Sequence, residues 1–567
     1  MKNDLLTSAE LKALLLDVGV VTEDQIAQAE ERARSEGGTL AQALLWYSFI
    51  SDEELGRLIA DRLKFPFTIV SEKSIPPEIL QLVPEVVASK QRVIAFDLDE
   101  RGLHIAMADP NDLEMRDFLE KKSGLPLVVY FATEHDIKNA LSFYRKEVLE
   151  AFEDIIAASL AEAAQDKDGE SDPPIIRIVD TLITYAYQNR ASDIHLEPRE
   201  KDMLARFRID GVLHDMVKLP ANLHPQIIAR IKILAKLRTD EHQIPQDGKV
   251  NFTVEGNEHV DVRVSIIPTT EGEKVVLRLL SERSRQFSLT NLGFSADTLD
   301  ILREAYQKPY GMILVTGPTG CGKTTTLYSV LKLLNRRNVN IVTIEDPVEY
   351  DMDGVSQIQV NGEVDLTFAT GLRSILRQDP NVILVGEIRD NETAGIAINL
   401  AMTGHLVLST LHTNSAATSI PRLIDMRIEP FLIASTINVI IAQRLIRKIH
   451  MGCRISEEVP SMDLVKRVGE QAFEKVFGKA SPEKKVRLYH GKGCEGCHDT
   501  GYEGRSGIFE ALVLDDIIRE AIVDKKDAGA IEELAIAQGM RTMFEDGMMK
   551  VQQGLTTLDE ILRVTKE

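Results

Sequence analysis

The segment GMILVTGPTGCGKTTT, residues 311–326, constrains this chain more than any other. A short apolar run, Met312 to Val315, enters a glycine-rich turn, Gly317-Pro318-Thr319-Gly320-Cys321-Gly322. Lys323, Thr324 and Thr325 follow and open a helical stretch that reaches Leu334. G-x-x-x-x-G-K-T between a strand and a helix is a phosphate-binding loop. Its glycines let backbone N–H groups converge on phosphate oxygens, and the helix N-terminus adds partial positive charge. The motif implies that residues 317–325 bind a nucleoside triphosphate. Lys323 would reach the β- and γ-phosphates, and the Thr324 hydroxyl would ligate Mg²⁺. Cys321 reads only as a small residue of the turn.

Such a loop works with carboxylates that hold Mg²⁺ and orient water. Two apolar runs end in candidates. Ile341 to Ile344 leads into Glu345-Asp346-Pro347, and Val382 to Val385 leads into Gly386-Glu387-Ile388-Arg389-Asp390. Carboxylates at strand C-termini lie on the ligand edge of a parallel sheet. Glu387 stands where a RecA-like strand carries its Mg²⁺- or water-polarising acid. Gly386 precedes it where Asp is usual, so Glu345 and Asp346 are expected to share the work, with Asp346 on Mg²⁺. His405 and His412 bracket an apolar strand, Leu406 to Leu408, and are candidate γ-phosphate sensors or plain packed or surface histidines.

At 567 residues the chain needs several domains. Its net charge of −22 argues against a nucleic-acid partner, which would need clustered Lys and Arg. The longest apolar stretch, Phe431 to Ala442, is too short to span a bilayer and the N-terminus lacks a signal-peptide core, so a cytoplasmic protein without direct membrane insertion is expected. Four cysteines in a chain of this length do not form a disulfide scaffold.

Residues 1–145 read as mainly helical with a small α+β unit. Segments 14–29 and 43–58 form a weak repeat: helix end, break, then Thr22 or Ser51 as N-cap. Trp46 is expected to pack a core. Strands are expected at 93–99 and 103–109. Residues 146–174, with AQDKDGESDPP, read as a flexible linker. A second domain, 175–285, carries strands near 203–210, 260–267 and 274–280. Residues 286–567 hold the nucleotide domain and a helical tail, in which Thr557 and Glu560 have capping-box spacing.

Many further segments, in order, carry a resemblance. IEDPVEY (344–350), LRSILRQDPNVILVGEIRD (372–390) and GHLVLSTLHTNSA (404–416) resemble the Asp box, Walker B and His box of the secretion ATPase superfamily. ASDIHLEP (191–198), RFRIDGVL (206–213), PQDGK (245–249) and GMRTMFEDG (539–547) fit it too. The chain looks like the branch of type II secretion and type IV pilus assembly ATPases, over roughly residues 170–567, and more loosely before that. The resemblance implies a RecA-like P-loop ATPase domain, preceded by a PAS-like α+β domain and a helical N-terminal domain. It further implies a homohexamer at the inner face of the cytoplasmic membrane, hydrolysing ATP to drive an inner-membrane platform protein, with a cytoplasmic adaptor as a further partner. Arg263 and Arg278 would reach a neighbouring subunit's nucleotide, where guanidinium forks neutralise γ-phosphate charge. The alternatives are a DNA-uptake or conjugation motor, and a nucleotide-sensing scaffold without turnover.

Cys494-Glu-Gly-Cys497 is a C-x-x-C in a turn-rich knuckle, about 449–505. The family supplies a second C-x-x-C just after its AQRLIR helix; here that place reads His450-Met-Gly-Cys453. His450, Cys453, Cys494 and Cys497 thus imply a structural Cys₃His zinc site. In part of the branch the N-terminal domain binds cyclic di-GMP through two motifs that begin Arg-Leu-Gly and end in Gln. The corresponding positions here begin Glu10-Leu11-Lys12 and Thr39-Leu40-Ala41 and end near Ala33 and Arg62. Cyclic di-GMP is therefore not an expected partner, and residues 1–145 are expected to serve as a docking module.

Overall fold

The computed structural model describes residues 6–565, apart from 37, 48, 72, 74, 142, 145–172, 255–257, 282–288, 495, 496 and 498. The expected linker, 146–174, lies almost wholly outside the described residues. The chain forms two compact units. One comprises Met1–Ser281, His450–Ser456 and Gly491–Gly501; the other comprises Glu282–Ile449, Glu457–His490 and Tyr502–Glu567. Residues of the expected zinc knuckle, which the sequence places among 286–567, therefore group with the first unit.

The first unit opens with four helices, Ser8–Val18, Glu23–Glu36, Leu40–Trp46 and Asp52–Leu63. The weak repeat is a helix–turn–helix used twice. Thr7, Thr39 and Ser51 each cap a helix reciprocally with the residue three positions on. Leu15, Ile26, Leu44 and Leu55 close a small core. Next come β1 (Val93–Asp99) and β2 (Gly102–Met107), an antiparallel pair, with β3 (Leu127–Phe131) parallel to β2.

Beyond the helix Pro173–Gln188 lies a sheet of six antiparallel strands: β4 (Asp193–Pro198), β5 (Asp202–Ile209), β6 (Val212–Pro220), β7 (Gln246–Val254), β8 (Glu258–Thr269) and β9 (Gly272–Ser281). Their spatial order is β6-β5-β4-β9-β8-β7. Three of the six were legible in the sequence. One face of this sheet buries Ile194, Phe207, Val262 and Leu277 with Ile178 and Leu182 of the helix.

The second unit is built on seven strands: β10 (Gly311–Thr316), β11 (Ile341–Glu345), β12 (Ser356–Gln359), β13 (Val382–Val385), β14 (Leu406–Leu411), β15 (Ile437–Ile449) and β16 (Tyr502–Val513). The order is β12-β11-β13-β14-β10-β15-β16, and only β16 runs antiparallel to its neighbour. Apolar layers cover both faces, as a buried parallel sheet requires. The segment AQRLIR, expected to be a helix, lies inside β15. Ile437, Val439, Ile440 and Ile441 precede it, and pairing with β16 throughout, and with β10 at Ala442, fixes the extended form. Four helices close the chain from Asp516 to Thr565. Thr557 accepts from the Glu560 N–H as a cap should, but the Glu560 carboxylate bonds Arg447 and Arg563 rather than closing the capping box.

The tail is fastened to β16 by a buried ion pair. Asp546 Oδ2 accepts from the Phe509 N–H at 3.0 Å and from Lys550 Nζ at 2.6 Å, and Lys550 also donates to the Gly507 carbonyl. Asp546→Ala leaves a buried ammonium without its counter-ion, so it should lower the stability of the nucleotide unit by about 3–5 kcal/mol. Urea unfolding, followed by the midpoint of that transition, measures it.

Candidate nucleotide and metal sites

Parallel pairing delivers the P-loop after β10, Glu345 at the end of β11, Gly386-Glu387 after β13 and His412 after β14 to one sheet edge. Within the loop, Gly317, Gly320 and Gly322 all have positive φ. At Gly317 a Cβ would meet the Gln443 carbonyl at 2.5 Å and Cys321 Sγ at 2.7 Å, so no other residue fits. Lys323 Nζ donates to the carbonyls of Gly317 and Pro318, at 2.8 and 3.1 Å. Burial draws its pKa down, while the Cys321 thiol and the Glu387 carboxylate act to raise it. Thr324 and Thr325 lie in the first turn of the helix Lys323–Leu334, whose N-terminal N–H groups face the loop.

Sequence reasoning missed what holds the loop in shape. Gln443, 2% exposed on β15, donates from its amide to the Cys321 carbonyl at 2.7 Å and accepts from the Thr326 hydroxyl at 2.8 Å. The signal was a glutamine in a β-branched run, where a buried amide must find partners.

The two acids differ in setting. Glu345 is 3% exposed. Its Oε2 accepts from the Tyr328 hydroxyl at 2.5 Å and its Oε1 from the Thr343 hydroxyl at 2.6 Å. Burial, and then the Glu345 charge, push the Tyr328 phenol up, so it stays the donor. Glu387 sits at the cleft side instead, paired with Arg389 at 2.7 Å and with His412 Nε2 at 3.2 Å. A cavity of about 390 Å³ beside it is lined by Ile388, Arg389, Leu411, His412 and Arg422. Asp346 is exposed, next to Glu345. Gly386 has a steric reason: its N–H bonds the Ile344 carbonyl at 2.8 Å, and a Cβ would come 3.3 Å from Glu345 Cα. His405 is not brought to this edge. It precedes β14, its Nδ1 lies 3.0 Å from the Leu400 carbonyl, and the strand separates it from His412 by roughly 20 Å.

In the first unit, β8 and β9 place Arg263 directly opposite Arg278, with Lys249 opposite Arg263 on the other side. Arg278 faces Asp193, whose carboxylate accepts from Arg278 Nε at 2.9 Å and pairs with Arg208 at 3.3 Å. The row is cationic, with one buried anion.

The four expected ligands converge. One donor atom from each of His450, Cys453, Cys494 and Cys497 lies within 4.8 Å of the others. Cys494 Sγ is 3.3 Å from His450 Nδ1 and 3.7 Å from Cys497 Sγ, and Cys453 Sγ is 3.9 Å from Cys497 Sγ. Tetrahedral zinc with bonds of about 2.0–2.3 Å requires donor separations of about 3.3–3.8 Å. The N–H groups of Cys494 and Gly501 both point at Cys497 Sγ, at 3.2 Å, as they do around a thiolate ligand. The donor set fits zinc.

Residues 168–563 match the family described as type II/IV secretion system protein, and residues 63–150 match the MshEN domain. The chain is 38% identical to the type IV pilus assembly ATPase PilB of Myxococcus xanthus, over 98% of each chain. It is 40% identical to the type II secretion system protein E of Xanthomonas campestris pv. campestris, over 99% of each. Among solved structures it is similar in fold to the Legionella pneumophila ATPase DotB, with a TM-score of 0.51 and 21% identity, covering 71% of this chain and 98% of that one.

Gln443→Leu removes both bonds that brace the P-loop while filling the same space. Loss of a hydrogen bond of about 1–1.5 kcal/mol should weaken ATP binding roughly tenfold, with Lys323 and Thr324 untouched. Calorimetric titration with a non-hydrolysable ATP analogue measures it.

Proposed function

The chain belongs to the type II/IV secretion system protein family, and we propose that it is a hexameric ATPase motor that drives type IV pilus assembly or type II protein secretion. The observation that carries the reading is the single sheet edge on which Lys323, Glu345, Glu387 and His412 meet. Lys323 binds and tracks the β- and γ-phosphates from a loop already braced by Gln443. Thr324 and Asp346 would hold Mg²⁺, which neutralises charge on the β- and γ-oxygens when bound.

We assign water activation to Glu387. Both oxygens of Glu345 already accept buried hydroxyl protons, so it serves as a fixed negative wall. Glu387 is bonded instead by the exposed side chains of Arg389 and His412, which can exchange partners as a water is bound. His412 then orients the Glu387 carboxylate, and His405 packs the far edge without a part in the chemistry. Arg263 and Arg278 act in trans, because a face presenting a row of cations suits phosphate charge on a neighbouring subunit. His450, Cys453, Cys494 and Cys497 hold a structural zinc, with four protein ligands and no open position.

The working partner is an inner-membrane platform protein, met at the inner face of the cytoplasmic membrane; among the described residues no helix is long and apolar enough to cross a membrane. Residues 1–145 dock the platform or an adaptor. Cyclic di-GMP does not suit them. Glu10, where the binding motif carries Arg, spends its carboxylate on the Thr7 N–H and hydroxyl, at 2.9 and 2.7 Å, to start the first helix. Calorimetry on the full chain should show no cyclic di-GMP binding at micromolar concentrations; sub-micromolar binding refutes this assignment.

Turnover tests the motor. Lys323→Ala should abolish ATP hydrolysis, and Glu387→Gln should bind ATP but not hydrolyse it. Arg263→Ala or Arg278→Ala alone should be nearly inactive. Mixing either with Lys323→Ala, under conditions of verified subunit exchange, should restore activity at interfaces that pair an intact arginine with an intact loop. No recovery rules out a shared site; near wild-type hydrolysis by Lys323→Ala or Glu387→Gln rules out the motor.

A further inference from the structure

Trp46, the one tryptophan of the chain, ends the helix Leu40–Trp46. It does not simply pack a core. The Cζ of Arg32 lies 4.3 Å from its ring centroid, and the Cζ of Arg454 lies 4.6 Å from it. Arg454 also donates to the Trp46 carbonyl. Arg32 belongs to the adjacent helix Glu23–Glu36, whereas Arg454 directly follows the ligand Cys453, far away in sequence. A second contact lies in the same knuckle loop. A Cβ on Gly452 would come 2.4 Å from Asn139 Oδ1, on the helix Glu134–Ala140, and 2.8 Å from His450 Cε1.

Indole is the strongest aromatic partner for a cation, and guanidinium, flat and weakly hydrated, is the cation best suited to it. The loop that supplies Arg454 is a single 3₁₀ turn, Met451–Cys453, with none of its residues fully buried. A turn of that size does not hold its own shape. The groups at its two ends, His450 and Cys453, are the assigned metal ligands, so a bound metal would fix the direction in which Arg454 leaves and would hold Gly452 near Asn139.

We propose that the knuckle is an intramolecular docking seat for the N-terminal domain, formed when its metal is bound. Its partner surface is the aromatic corner of residues 46 and 47 with Arg32, which is also 5.5 Å from the Tyr47 ring, together with Asn139 against Gly452. The metal dependence rests on the zinc assignment above, whereas the contact itself does not. Coupling of this kind is reciprocal: what the metal adds to docking, docking adds to metal retention. The knuckle is continuous in sequence with β15, which carries Gln443, so the seat and the brace of the P-loop belong to one length of chain.

The lone tryptophan makes the contact measurable in the full-length protein, as acrylamide quenching of Trp46 emission. In Arg454→Ala, quenching should rise while zinc stays at about one equivalent per chain and far-ultraviolet circular dichroism is unchanged. Arg454→Lys, which keeps a cation, should recover part of the protection. Chelating zinc from the wild type should raise quenching to the Arg454→Ala level, and chelation should add nothing further in that variant. The variant should also lose zinc at a chelator concentration lower by roughly fivefold or more. Equal quenching in wild type and both Arg454 variants overturns the docking seat. Higher quenching in Arg454→Ala with no effect of chelation overturns the metal dependence. Wild-type protein purified without zinc refutes the metal assignment alone, and the Arg454 comparison still decides whether the contact exists.

Discussion

The nucleotide site depends on the parallel pairing of β10 with β14 on one side and β15 on the other. Parallel strands place all their carboxyl ends on one edge, so residues up to about a hundred positions apart in sequence are brought together there by the pairing of the strands. The cost is that both faces must be covered, and two extensive apolar layers do this. Thr316 shows how tightly the arrangement is pinned. Its hydroxyl reaches the Leu411 and Thr413 carbonyls at 3.2 and 2.9 Å, tying the last residue of the P-loop strand to the loop that carries His412.

The parts legible in sequence were those with local signatures. The P-loop, the acids after two β-branched runs, the capping residues Ser51 and Thr22, and the C-x-x-C are all written in short spacings, whereas His450 and Cys453 come through the family resemblance. What was not legible depends on distant pairing. The family resemblance implies a helix for AQRLIR, and its pairing with β16, together with β10 at Ala442, makes it a strand. Gln443 and Tyr328 carry no motif of their own, because their roles lie in the groups they face across the sheet. Thr557 and Glu560 show the converse: spacing foretold the cap, but the Glu560 carboxylate went to Arg447, 113 residues away, where its charge is worth more.

The histidines divide by the same geometry. His405 and His412 bracket one strand and look equivalent in sequence, yet a strand has two ends and only one faces the ligand edge. Glu387 therefore meets His412 and never His405. Trp46 differs again. An aromatic at the end of an amphipathic helix suggests packing, and its real environment includes Arg454, a residue no local pattern could have brought to it.

Gly386 has a mechanical consequence. Its N–H is held by the Ile344 carbonyl, and a side chain at this position would begin in tight contact, 3.3 Å, with the backbone of Glu345. The two acid-bearing turns are thus linked by a backbone hydrogen bond and a close approach of main chains. Any side chain at 386 would press on the Glu345 backbone, so a larger residue there would have to be accommodated by shifting one carboxylate-bearing turn against the other.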